Sequence, residues 1–475
     1  LSYRELARGA AILAARWQRA GAAAGQKLAL LVGMGPELCL GLCAALQLGL
    51  VPTLIPPTGA TFIQQRLRSS GCARVATTAL LHQVLSRQPD WAAKLLPPMS
   101  QPLLGDELAA MHRYADPVPA AALFAPSHAT PDLVVPLPAH LALWLAARDG
   151  LLGFRLRPGD CLAGAGLDLL QYQPTLLMAT LLAGATYVEL PLRELAADPR
   201  LVAAQPLRAL LLSADGAAIL GKGPRGLLAG VQALFVDAAH GASVDAWRAT
   251  LSGAGELPPL YAMLYESAAG GCTMWSGRQL AHGPITLLPA PGVLMQVTRS
   301  GLGPGSAGYA SVQVPATQPW ARPLFVSTPA GSGYMGTVLP RRRGHTYPAA
   351  EVLKVIHSFP SVDAAVAVEL PALPGSVDAR VHLVVFTGPG ADPELERQLA
   401  EALLRELPGS HQPDALVLIP FYARRKEGQP HADWVRQQYM EGRLQRKMAD
   451  PSFYKLTALR AQARQLLATS LGVPR

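Results

Sequence analysis

The sequence predicts an α/β fold: a large N-terminal domain of βαβ subdomains with parallel sheets and a small β subdomain, followed by a small α+β C-terminal domain. Three observations predict it. Short apolar runs alternate with segments of helical period through most of the chain, the signature of parallel sheets joined by crossover helices. From Gly283 to Val338 the text changes to short strands punctuated by Gly and Pro. After Arg341–Gly344 comes a compact helix–strand–strand–helix–strand unit. The domain limits expected are 1–341, with the β subdomain at 283–340, and 342–475.

The elements follow in order. LSYRELARGAAILAARW puts apolar residues at helical spacing behind Ser2, with Glu5 three positions on, which is a capping box. A strand is expected over 27–33, a helix with Pro in its first turn over 36–48, and a strand over 50–55, one βαβ unit. Residues 86–119 are Pro-rich and poorly periodic and read as surface loop. Strands are expected at 120–125 and 133–137, helices at 139–148 and 173–184, and a strand at 185–190. LRALLLS, ALFVDA and LPPLYAMLY repeat the buried-strand pattern. VLMQVT, YASVQV and PLFVS form the β subdomain, with the Gly-rich 301–308 as a turn. The last unit reads as helix 348–358, strands 363–369 and 380–386, helix 392–406, strand 414–419 and a basic helical tail.

Composition narrows the class. The chain has 475 residues, half of them apolar and 15% charged, enough for two or three cores and unlike a disordered sequence. Its five cysteines form no CxxC pair; Cys39 and Cys43, four apart on one helix face, read as small core residues, and a reducing cytoplasm fits them. The eleven histidines are scattered without metal-ligand spacing, so no metal site is expected. No secretory leader is visible; a chain starting at Leu1 is expected to be a trimmed product. Residues 28–56, the most apolar stretch, are broken by Glu37, Gly and Pro, so no membrane span is expected. The formal net charge is +9, and from Phe421 onward eleven Lys or Arg face four Asp or Glu. Such a tail suits an acidic partner, and equally the solvated face of a helix. No aromatic interleaving or motif points to nucleic acid.

Four stretches, in this order, carry a resemblance: the opening helix with GQKLALLVGMGPELCLGLCAALQLGLVPTLIPP, then LLAGATYVEL (181–190), RGHTYPAAEVLKVIHSFPSVDAAVAVEL (343–370) and LPGSHQPDALVLIPF (407–421). Together they resemble the adenylate-forming superfamily of acyl-CoA and aryl-CoA ligases and nonribosomal peptide synthetase adenylation domains, over nearly the whole chain. The resemblance implies an enzyme that makes an acyl-adenylate from carboxylate and ATP, then rotates its small C-terminal domain to pass the acyl group to a thiol. It also implies that Asp168, Tyr172 and Tyr265 belong to the acyl pocket, and that the Arg341, Arg342 and Arg343 run sits beside the hinge.

The motifs that would handle ATP depart from the pattern. Where the family has a Gly-rich phosphate loop ending in Lys, this chain has APSHATPDLVV, with Ser127, His128 and Thr130 but no glycine, and with Asp132 for the Lys. Glycine lets backbone N–H groups close on phosphate oxygens, whereas a carboxylate repels them by about 1 kcal/mol or more. Where Thr and a magnesium-holding Glu are expected after Tyr265, Ala268 and Ala269 stand, and alanine cannot ligate a hard cation. The ribose-binding Gly-Asp is replaced by Pro329 and Ala330, and the catalytic Lys and nearby Asp by Gln429 and His431.

Two functions follow. The first is a pseudoenzyme: a non-catalytic binding or partner protein in an acyl- or aryl-carrier-linked pathway making fatty acids, polyketides or nonribosomal peptides. It has no expected cofactor, and an acyl carrier protein or a biosynthetic enzyme would be its partner. The second is an active AMP-forming ligase with an atypical ATP–Mg²⁺ site, in which Lys426, His431 and Glu266 substitute for the lost groups.

Overall fold

A computed structural model describes residues 1–57, 59–99, 139–167, 172, 175–238, 243–266, 271–283, 285–299, 307–313, 323–328, 331–337, 341–342, 345–370, 380–388, 392, 394–423, 425–426, 429–430, 432–440 and 442–450. The fold is mixed α/β with parallel βαβ units and a smaller C-terminal β-containing region. Helix α1 (Tyr3–Arg19) starts on the expected capping box: Glu5 N–H donates to Ser2 Oγ at 3.2 Å, and Ser2 N–H donates to Glu5 Oε2 at 2.7 Å. Strands β1 (Lys27–Leu31), β2 (Val51–Ile55) and β3 (Arg74–Thr77) form a parallel sheet in the order β2-β1-β3. Helices α2 (Pro36–Gln47) and α3 (Ala60–Ser69) are its crossovers. Part of the stretch expected as loop is ordered differently: Pro89–Ala92 is helical, and Leu95 bridges to Val75 of β3.

The second sheet has seven strands in the order β10-β9-β8-β7-β6-β4-β5. They are β4 (Cys161–Ala165), β5 (Thr186–Leu190), β6 (Ala209–Leu212), β7 (Leu234–Asp237), β8 (Leu260–Glu266), β9 (Gly271–Trp275) and β10 (Leu288–Pro289). Strands β4 to β8 pair parallel; β4, β6, β7 and β8 are largely buried on both faces, which is why they read as continuous apolar runs rather than alternating ones, whereas β5 at the sheet edge is only partly buried. The helix Ala139–Arg148 runs directly into a π-helical turn, Asp149–Gly153, which the periodicity did not signal.

Strands β11 (Leu294–Arg299), β12 (Ala307–Gln313), β13 (Pro323–Thr328) and β14 (Gly331–Thr337) form an antiparallel meander. After the short pair β15 (Arg341–Arg342) and β16 (His345–Thr346) comes the last main sheet: β17 (Ala364–Leu370), β18 (Arg380–Phe386) and β19 (Ala415–Ile419). The helices Ala349–Ile356 and Leu395–Glu406 accompany it. The first part of the basic segment is structural: Val435, Tyr439 and Leu444 are buried in one cluster with Val366, Val368 and Phe386.

One apolar cluster joins the two ends of the chain, running from Leu13, Leu30 and Phe62 to Val352, Ile356 and Leu403. Inside it lies a polar clasp. Arg66 of α3 approaches Glu351 at 2.8 Å (Nε to Oε1), with side-chain exposures of 0% and 1%. His411 Nε2 lies 2.8 Å from the other Glu351 oxygen. The Phe62 ring packs edge-on against His411 at 5.2 Å, and the Arg66 guanidinium lies 5.2 Å from the same ring. Charges leave water at a cost of several kcal/mol each, which only close pairing offsets.

Glu351→Gln keeps the shape and removes the charge facing Arg66, so it should destabilise the protein by about 3–5 kcal/mol in denaturant titration. Arg397→Ala, which breaks an exposed pair with Glu394 and Glu401, should leave the midpoint unchanged. Equal effects of the two would contradict the structural weight given to the clasp.

Candidate functional site

Residues Ser127, His128, Thr130, Asp132, Asp168, Ala268, Ala269, Pro329, Ala330, Arg343 and His431 lie outside the described residues. The others are placed as follows. Glu266 ends β8, opposite Gly271 in the β8–β9 ladder. Lys426 pairs with Gln429 in the two-residue strands β20 (Arg425–Lys426) and β21 (Gln429–Pro430). Arg341 pairs with Thr346 across β15 and β16. Arg342 donates from Nε and Nη2 to Asp414 Oδ1, at 3.0 and 2.9 Å, so it is tied to the loop before β19.

Tyr172 and Tyr265 come together in the interior. Their exposures are 1% and 0%, and their ring centroids lie 5.4 Å apart. Tyr172 donates its hydroxyl to Asp237 Oδ2 at 2.5 Å, and Asp237, at the carboxyl end of β7, is itself buried. The Tyr265 hydroxyl faces Asp149 and Thr175, and burial, then the Asp149 charge, hold its pKa well above the usual phenol range. Neither ring forms an open wall.

Beneath them is a buried ion pair that the sequence did not reveal. Arg148 donates from Nε and Nη2 to Asp149 Oδ1, at 2.9 and 2.6 Å. It also donates to the carbonyls of Cys272 and Pro291. Cys272 N–H closes the network on Asp149 Oδ2 at 2.8 Å. Burial outweighs the neighbouring guanidinium and pushes the Asp149 carboxyl up to about 6. Burial, then the Asp149 charge, also raise the Cys272 thiol well above its ordinary value. Cys39 and Cys43, half-buried against the core, are both pushed up to about 11 by burial. None of these thiols is a nucleophile near neutral pH. Among the described residues no group of three or more His, Cys, Asp or Glu is placed to hold a metal ion.

A cavity of about 350 Å³ lies between α1, α2, the helix Thr175–Leu182 and β5. Met34, Cys39, Leu177 and Leu181 supply apolar wall, and Tyr187 and Glu189, two apart on β5, share a face of that strand. Tyr187 donates its hydroxyl to Glu189 Oε2 at 2.7 Å. Burial pushes the Glu189 carboxyl up to about 7, against the lowering effect of that hydrogen bond.

No protein-family model matches the chain, and no curated protein matches it. Solved structures do. The amide bond synthetase McbA from Marinactinospora thermotolerans is 18% identical with a TM-score of 0.68, covering 92% of this chain and 95% of that one. The artificially fused adenylation–PCP di-domain NpsA-ThdA of a nonribosomal peptide synthetase from Klebsiella oxytoca is 18% identical with a TM-score of 0.67, covering 88% and 81%. The o-succinylbenzoate CoA synthetase MenE from Bacillus subtilis is 13% identical with a TM-score of 0.68, covering 93% and 94%. The chain has the fold of the adenylate-forming ligases.

The Glu189 carboxyl gives a pH dependence of defined sign. Its folded pKa is raised, so its contribution to stability is fully present below about pH 4.5 and is lost as pH rises through about 7. Glu189→Gln lacks that loss. Relative to wild type, the variant should gain on the order of 1–3 kcal/mol in denaturation free energy between acidic and mildly alkaline buffer. An offset that does not change with pH would contradict the assignment.

Proposed function

We propose that this chain is a non-catalytic binding or partner protein built on the adenylate-forming-ligase scaffold, working in an acyl- or aryl-carrier-linked biosynthetic pathway. The observation that carries this reading is the simultaneous substitution of the positions that resemblance assigns to ATP: Asp132 for Lys, Ala268 and Ala269 for Thr and Glu, Pro329 and Ala330 for Gly-Asp, and Gln429 for the catalytic Lys. A triphosphate is held by backbone donors, a cation and a metal ligand together. Each of those contributions is replaced here.

Two structural features support the same reading. Tyr172 and Tyr265, which belong to the acyl pocket by resemblance, are packed into the core. Rotation of the C-terminal unit would separate Arg66 from Glu351 and expose or strand both charges. An enzyme that alternates its domains on each turnover gains nothing from such a clasp. No cofactor enters this reading. We take the protein to act in the cytoplasm, a site supported by its five free thiols; among the described residues no helix is long and apolar enough to cross a membrane.

The partner in this reading is an acidic carrier protein or a biosynthetic enzyme bearing one. The fused adenylation–PCP neighbour supports carrier docking on this scaffold. Residues 451–475 contain four basic residues and no acidic one, which gives charge complementarity. Because Val435, Tyr439 and Leu444 belong to the core, the informative truncation ends at Asp450 rather than at Phe421. It should abolish co-purification of the carrier protein without changing Tm.

Calorimetric titration of the full chain with ATP–Mg²⁺ should show no saturable binding. Pyrophosphate release should stay at background across fatty, aromatic and amino acids. Micromolar nucleotide binding, or carboxylate-dependent pyrophosphate, would instead establish the active ligase, with Lys426, His431 or Glu266 as the substituting groups.

A further inference from the structure

A second cavity, of about 290 Å³, opens at the opposite end of the seven-stranded sheet. Arg208 precedes β6, Gln232 precedes β7, and Tyr261 is the second residue of β8, so the cavity lies at the amino ends of the parallel strands. Asp237 and Glu266 mark the carboxyl ends of β7 and β8, where open α/β sheets ordinarily bind their ligands.

The walls are flat and aromatic. Phe235 stacks on Tyr261, with centroids 5.3 Å apart and planes at 22°. Phe154 meets Phe235 edge-on at 5.0 Å. Trp275 closes one side, and Gly153 sits so close to it that a Cβ would lie 2.9 Å from the indole. Parallel and edge-on aromatic walls favour a planar guest.

The polar lining has one sign. Arg155 and Arg208 line the cavity, and its lining includes no Asp or Glu. Neither arginine has a carboxylate partner among the described residues. Arg208 donates to Gln232 Oε1 at 2.7 Å. An arginine only donates, so the carboxamide oxygen must face it, and the Gln232 amide N–H groups remain as donors. Two guanidiniums and an amide N–H₂ are a donor set for an anion.

Arg155 also carries local strain. Its φ is +55°, and it is the only non-glycine residue among those described with φ above zero. The turn is held from both sides: Phe154 N–H donates to Asp149 O, and Leu156 N–H to Gly150 O, each at 2.9 Å. The Asp149 side chain is pinned in turn by Arg148 and Cys272. Glycine would occupy this conformation without strain. An arginine at a rigidly held left-handed position beside a cavity is the kind of outlier from which a binding role is inferred. The π-helical turn that leads into it is likewise enriched at functional sites.

We infer that this cavity binds a small planar aromatic anion of one or two rings, its ring against Phe235, Tyr261 and Trp275 and its acid group on Arg155, Arg208 and Gln232. Carboxylates and sulfonates share that chemistry. The cavity lies at the amino ends of the strands, and its aromatic walls belong to the same buried cluster as Tyr172 and Tyr265.

The test is calorimetric titration of the full chain with 2-naphthoate, 2-naphthalenesulfonate and neutral 2-naphthol. At least one of the two anions should bind saturably at a single site, and the better of them identifies the acid group; the naphthol should bind about tenfold more weakly or worse. Arg208→Ala and Arg155→Gly should each weaken the anion about tenfold, with Glu189→Gln, at the other cavity, unchanged. Arg155→Gly relieves the strained φ, so its Tm should equal or exceed that of wild type. This separates loss of the guanidinium from loss of the fold. No binding of either anion at millimolar concentration, equal binding of naphthol, or full affinity in Arg155→Gly would each overturn the inference.

Discussion

Glu351 is a carboxylate with almost no access to water, held between Arg66 and His411 at 2.8 Å each. Arg66 comes from α3, the crossover between β2 and β3, Glu351 from the helix after the β15–β16 pair, and His411 from the turn before β19. Each charge is tolerable only if its partner arrives in the same geometry. The apolar cluster around the clasp supplies attraction without direction, whereas the clasp supplies register. Tyr347 extends it by donating its hydroxyl to the His411 carbonyl at 2.9 Å. Asp414 does the same one step further, receiving both Arg342 and the Val381 N–H. The placement of the β17–β18–β19 sheet against the N-terminal unit therefore runs through the buried Arg66–Glu351–His411 clasp.

The seven-stranded sheet presents two unlike ends. Towards its carboxyl end, Tyr172 on Asp237 and Tyr265 above the Arg148–Asp149 pair fill the interior, the Tyr172 hydroxyl hydrogen-bonded and the Tyr265 hydroxyl not. At its amino end, flat aromatic rings and guanidiniums without acidic partners among the described residues line a cavity.

Much of the architecture was legible locally. The capping box at Ser2 and Glu5 formed as its spacing implied, because both donors and acceptors lie within one turn. The runs Leu234–Asp237 and Leu260–Glu266 formed buried parallel strands, since only such strands remain apolar on both faces. The inertness of Cys39 and Cys43 also followed from spacing alone. Where periodicity failed, tertiary packing had overridden it. The π-turn at Asp149–Gly153 is set by a buried ion pair reaching to β9, and the basic stretch from Ala432 to Ala449 looked like a solvated tail because the buried apolar residues Val435, Tyr439 and Leu444 are sparse among charges.

The sequence by itself determined the element order and the sheet type, because these are properties of residue type and short spacing. Only the tertiary structure decided that Arg66 meets Glu351, that Tyr172 meets Asp237, and that Arg155 stands in a left-handed conformation beside an aromatic cavity. Those pairings join residues far apart in the chain. Nothing in a local pattern records which distant partner a buried charge or hydroxyl will find; that is set by how the layers pack.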